Sequence, residues 1–139
     1  MTMASLTRAT ALALCLLTSL AHAHGGGAGD ENVTPVAQAQ LPATVGTAAK
    51  ALRVEFAPGA ESRPHTHPGP VFVVVVSGEV QSSLDDGPVH TYKAGDAWYE
   101  SPGQLHGVTR NPSKTVPAVL VAWLISYVKA PLVKPVKCV

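Results

Sequence analysis

Short apolar segments of strand length, each closed by a turn signal, recur through most of this chain and leave little room for helices. Leu52–Phe56 runs into Ala57-Pro58-Gly59, and Val71–Val76 ends at Ser77-Gly78. Val80–Leu84 meets Asp85-Asp86-Gly87 with Val89–Tyr92 on the far side, which is a hairpin pattern. Ala94-Gly95-Asp96 leads to Ala97–Glu100, Pro102-Gly103 to Leu105–Thr109, and Asn111-Pro112 precedes Val116–Val128. Turns at this density, supplied by twelve Gly and twelve Pro, predict an all-β sandwich or barrel in one domain. Helical periodicity is absent, and no internal repeat of solenoid length occurs.

Val71–Val76 and Leu120–Ile125 are apolar at nearly every position rather than alternating. Strands of that kind are covered on both faces, so the outer face is expected to meet a second copy of the chain or the N-terminal arm. A homodimer is the expectation.

The N-terminal stretch reads as an export signal. Arg8 supplies a positive charge, Ala9–Leu20 is apolar or uncharged throughout, and Ala21-His22-Ala23 is a small-x-small cleavage site. The apolar run falls short of the roughly 20 residues that span a bilayer, so no stable membrane anchor is expected. Residues 1–23 are therefore assigned to a signal peptide, 24–40 to a flexible leader, 41–130 to the barrel and 131–139 to a C-terminal tail. A periplasmic or secreted location follows. Cys15 would leave with the signal, and Cys138 alone makes no intrachain disulfide, so the fold must rest on its apolar core. Ten Lys and Arg against nine Asp and Glu provide no basic stripe, which argues against a nucleic-acid partner. Neither a phosphate-cradling glycine loop nor a dinucleotide fingerprint is present.

Histidines carry the chemical signal. His65 and His67 are two residues apart and share one face of an extended segment. His106 follows about forty residues on, after Pro102-Gly103, where closure of a sheet can bring it opposite the pair. Three converging neutral imidazoles suit a divalent transition metal, although each alone would also serve as an ordinary core or surface residue. Trp98 and Glu100 share a face, so Glu100 is buried if Trp98 is; otherwise it is an edge residue in solvent. Trp98, Tyr99 and Trp123 read as core or dimer contacts. Arg53, Glu55, Glu61, Arg63 and His90 read as solvated surface.

Gly59 to Gly78, with His65-Thr66-His67 inside it, resembles the first cupin motif, and Gly95 to His106 resembles the second. The resemblance implies a double-stranded β-helix (jelly-roll) barrel with a metal pocket inside. It departs from the family at Val71, where most metal-binding cupins carry a glutamate ligand, at Ser101 in place of a proline, and at Asn111, one position beyond the family's asparagine. Three outcomes stay open at Val71: three histidines hold the metal alone, Glu100 replaces the carboxylate, or the pocket holds no metal. The leading expectation is one divalent ion (Fe, Mn, Cu, Ni or Zn) on His65, His67 and His106, with Glu100 as a fourth ligand. A small organic molecule would be the substrate, with dioxygenase-like, isomerase or decarboxylase chemistry. The alternative is a non-enzymatic periplasmic binding or sensing module, with or without metal.

Overall fold

Alternation decides which side of each strand is buried. In Val71–Ser77, Val71, Val73 and Val75 are almost wholly inaccessible while Phe72, Val74 and Val76 face outward. A computed structural model describes residues 29–41 and 46–136. The signal segment, the leader before Gly29 and Cys138 lie outside the described residues.

The described chain is all-β. Its strands are β1 (Asn32–Gln40), β2 (Thr47–Phe56), β3 (His65–Thr66), β4 (Val71–Ser77), β5 (Glu79–Leu84), β6 (His90–Lys93), β7 (Ala97–Glu100), β8 (Leu105–Arg110), β9 (Ala118–Tyr127) and β10 (Lys134–Pro135). They form two five-stranded sheets, ordered β1-β2-β9-β4-β7 and β10-β3-β8-β5-β6, and every pairing is antiparallel. Sheet faces out of Leu52, Phe56, Val73, Val80, Trp98 and Leu120 close on one another as the core. Burying a side chain such as Phe56 stabilises the fold by roughly 2–3 kcal/mol.

Turn residues match their positions. Gly78 has φ +71°, and a Cβ there would lie 2.6 Å from the Pro117 carbonyl oxygen. Asp85 adopts φ 51° in the β5–β6 turn; its carboxylate accepts from Leu105 N at 3.1 Å and Gln104 Nε2 at 2.8 Å.

Two segments outside the expected barrel bounds join the sheets. Asn32–Gln40, within the segment read as a leader, pairs with β2 from Asn32↔Glu55 to Gln40↔Ala48 and buries Val33. Its Ala, Gln and Pro content has low strand propensity, and Pro35 is tolerated because β1 is an edge strand with a register shift after it. Lys134–Pro135, within the tail, pairs with β3. The described arm thus extends the sheet beside β2 and leaves the outer face of β4 uncovered. Among the described residues no helix is long and apolar enough to cross a membrane.

Candidate metal centre

Register brings the three histidines together. His65 on β3 is the direct cross-strand partner of His106 on β8, and His67 follows as the chain leaves β3. All three are buried, and their candidate ligand atoms lie within 4.8 Å of one another. Ring centroids are 4.8 Å apart for His65 and His67 and 5.1 Å for His65 and His106. Glu100 reaches the same point from the other sheet. It is 2% exposed, on β7, directly across from Val71 on β4. The position that lacks the family's carboxylate and the position that supplies one are therefore adjacent on neighbouring strands. Trp98, two residues earlier on the same face, donates its indole N–H to Glu100 Oε1 at 2.9 Å.

Backbone carbonyls orient the first two imidazoles. His65 Nδ1 donates to the Arg63 carbonyl at 2.7 Å, and His67 Nδ1 donates to the Leu132 carbonyl, also at 2.7 Å. Each Nε2 then keeps its lone pair, and the two Nε2 atoms face each other at 3.2 Å. His106 Nε2 is held by Ser82 Oγ at 2.8 Å and by Thr109 Oγ1. When Nε2–H is donated to these hydroxyls, Nδ1 is left with its lone pair 3.2 Å from Glu100 Oε1. His67 Nε2 is 3.6 Å from Glu100 Oε2.

These short approaches are not ion pairs. Burial lowers His67 to about 4, against the opposing hydrogen bond to Leu132. Burial, reinforced by His65 and then His67, lowers His106 to about 3. Burial raises Glu100 to about 7, partly offset by the Trp98 hydrogen bond. The centre thus gathers neutral imidazoles and a carboxyl group with lone pairs directed inward. Glu100 Oε2 and His106 Nδ1 are buried with no hydrogen-bond partner among the described residues. Orphaned acceptors and opposed lone pairs are costly in a buried site unless a cation lies between them, so the residues fit a divalent metal ion. Imidazole and carboxylate donors together suit first-row transition ions from manganese to zinc.

A cavity of about 70 Å³ opens from this polar end. Val54 and Phe56 of β2, Val73 of β4 and Leu124 of β9 are among its walls.

The expected candidates His65, His67, His106 and Glu100 all converge on this point. His90 is exposed on β6, and Arg53 and Glu55 form an ion pair with each other, both partly in solvent. Trp98 is buried in the core, whereas Tyr99 and Trp123 lie exposed on the outer sheet face. Sequence reasoning missed Ser82, Thr109 and the carbonyls of Arg63 and Leu132. Ser82 was detectable as a polar residue on the inward face of a strand that also carries Val80. Thr109 was not, because it is three residues from His106 and an odd spacing predicts opposite faces. Gly107 has no cross-strand partner where Val108 pairs with Ser83 and His106 with Leu84; this bulge shifts the phase and turns both side chains inward.

The cupin domain family matches residues 52–124, more than half of the chain. No curated protein matches the sequence significantly. Among solved structures, a conserved Klebsiella pneumoniae protein with a double-stranded β-helix domain is similar at 24% identity and TM-score 0.60, over 78% of this chain and 86% of that one. An oxalate oxidase in complex with glycolate is similar at 24% identity and TM-score 0.56, over 76% of this chain and 54% of that one. A DMSP lyase from Ruegeria pomeroyi is similar at 23% identity and TM-score 0.51, over 59% of this chain and 40% of that one. The chain spans about half or less of these two enzymes, and likeness at such identity concerns the fold alone.

Proposed function

Because the chain belongs to the cupin family, we propose that it binds one divalent transition metal through His65, His67 and His106, with Glu100 as a fourth ligand, and presents it to a small organic molecule. The observation that carries this reading is the pair of Nδ1–H groups given to backbone carbonyls, which aims two Nε2 lone pairs at each other across 3.2 Å. The ion would supply Lewis acidity and coordination positions open to a substrate. Arg63 and Leu132 hold the tautomers of His65 and His67, and Ser82 and Thr109 hold His106. Trp98 fixes the carboxyl group of Glu100, while Val71 leaves the usual carboxylate position without a ligand atom and lines the cavity with apolar surface.

Elemental mass spectrometry of protein never exposed to chelator tests the reading. Close to one equivalent of iron, manganese, copper, nickel or zinc is expected per chain, and His65→Ala should lose it while circular dichroism stays that of a folded β protein. No metal as isolated, and none taken up on reconstitution, would overturn it.

The proposal extends to a homodimer and to export. Tyr99, Phe72 and Trp123 lie in one cross-strand row over β7, β4 and β9, with Phe72 51% and Trp123 45% exposed. Val74 and Val76 continue this apolar face. A surface of that kind is an aggregation hazard unless covered, and a second copy offers a self-complementary cover. Sedimentation of the native chain should give a dimer, and Trp123→Asp a folded monomer; a native monomer at micromolar concentration would remove the interface. Export to the periplasm or beyond rests on the signal read at residues 1–23.

A further inference from the structure

We propose that the cavity selects a neutral, mainly apolar molecule with one weakly acidic hydroxyl head, of the substituted-phenol class, and rejects small dianionic acids. This inference rests on the metal reading above. Two features of the cavity carry it: the charges that line it and the chemistry of its walls.

Glu100 brings a carboxyl group to the base of the cavity, and none of the described residues that line it is Lys or Arg. The histidines add no positive charge when their inward lone pairs hold the ion, since a ligating imidazole is neutral. A divalent ion with Glu100 leaves a single net positive charge at the polar end. One ionised hydroxyl balances it. A dicarboxylate would bring a second negative charge with no Lys or Arg among the described lining residues to meet it, and an uncompensated buried charge is strongly disfavoured.

The walls select for the rest of the molecule. Leu52, Phe56, Val73, Leu120 and Leu124 present hydrocarbon, and Val71 extends that surface up to Glu100. Trp98 is a fixed aromatic wall, held by Tyr92 at 4.5 Å between ring centroids and by its bond to Glu100. An aromatic body gains both area burial and ring packing there. A polar, oxygen-rich body would leave its groups unpaired against the same surface.

The test is calorimetric titration of the full chain, zinc-loaded and metal-free, with para-cresol and with malonate. Para-cresol should bind the zinc-loaded chain at least roughly tenfold more tightly than malonate, and the metal-free chain more weakly but still ahead of malonate. Malonate binding as tightly as para-cresol, or more tightly, overturns the inference and leaves the metal reading standing. Failure to take up zinc, iron, manganese, copper or nickel overturns the metal reading, and the metal-free arm then decides the cavity: absence of para-cresol binding overturns the inference too. Ala122→Phe places a ring in the cavity and should weaken para-cresol roughly tenfold. Unchanged affinity would put the probe outside the cavity and overturn the assignment.

Discussion

Glu100→Gln should raise the melting temperature of the metal-free protein at pH 8 and lower that of the metal-loaded protein. Burial raises the Glu100 pKa from 4.5 to about 7. Between these values the folded chain holds a proton that the unfolded chain releases, so stability falls as pH rises from 4.5 and levels off above 7. That shift corresponds to a loss on the order of 3 kcal/mol at pH 8. Glutamine carries no charge, can accept the Trp98 N–H through its amide oxygen, and then turns its N–H group toward the His67 Nε2 lone pair. The variant should therefore gain several degrees at pH 8 and nothing at pH 4.5. His67 and His106 act in the opposite direction. Their lowered pKa values contribute stability above 6.5 that is lost as pH falls toward 4 and 3, but both proteins share them and the difference isolates Glu100. With a divalent ion present the sign reverses, because the carboxylate is then compensated and glutamine removes an anionic ligand. Differential scanning calorimetry across pH 4.5 to 8, with and without zinc, reads both signs. A lower melting temperature for the metal-free variant at pH 8 would mean that the carboxylate already has a counter-charge in the protein, and an unchanged zinc-loaded one would remove Glu100 from the ligand set.

Asn111→Ala is expected to destabilise the barrel by roughly 3 kcal/mol, which lowers the melting temperature by about 10 °C. Asn111 is 2% exposed and closes three segments at once. Its Nδ2 donates to the carbonyls of Val116 at 2.8 Å, Ala57 at 3.2 Å and Phe56 at 3.3 Å, and its Oδ1 accepts from Ser113 N at 3.0 Å. The end of β2, the residue after β8 and the loop before β9 are thereby tied by one amide. Alanine removes both the donor and the acceptor in a place water does not reach. Asn111→Asp should cost at least as much, since a carboxylate would face three carbonyl oxygens without a donor. Metal content should stay near that of the native protein, because Asn111 does not line the cavity. Chemical denaturation measures the loss, and a change below about 1 kcal/mol would show that the amide's partners find replacements locally.

Asparagine at this position looked in the sequence like a near miss to a family motif. Its role appears only when the two strand ends and the loop it bonds are brought within reach, across as many as 55 residues of chain. The same holds for His67, whose tautomer is set by a carbonyl 65 residues away on a segment expected to be a tail. Asn32–Gln40 illustrates the converse. Its composition favours no regular structure, yet the open edge of β2 imposes strand geometry on it.

What the amino-acid sequence determined by itself was everything that depends on neighbours a few residues apart. Apolar runs closed by turns dictate strands, the spacing of His65 and His67 puts them on one side, and the alternation from Trp98 to Glu100 buries both together. Those properties follow from a backbone period of two and need no knowledge of the partner strand. Tertiary structure decided the rest: that Glu100 lies beside Val71, that the Gly107 bulge turns Thr109 inward, and that the outer row of Tyr99, Phe72 and Trp123 is left uncovered by the other described residues. Cross-strand register and bulges arise from how the whole barrel closes, so the environment that tunes the buried carboxyl and imidazole groups exists only once the two sheets have met.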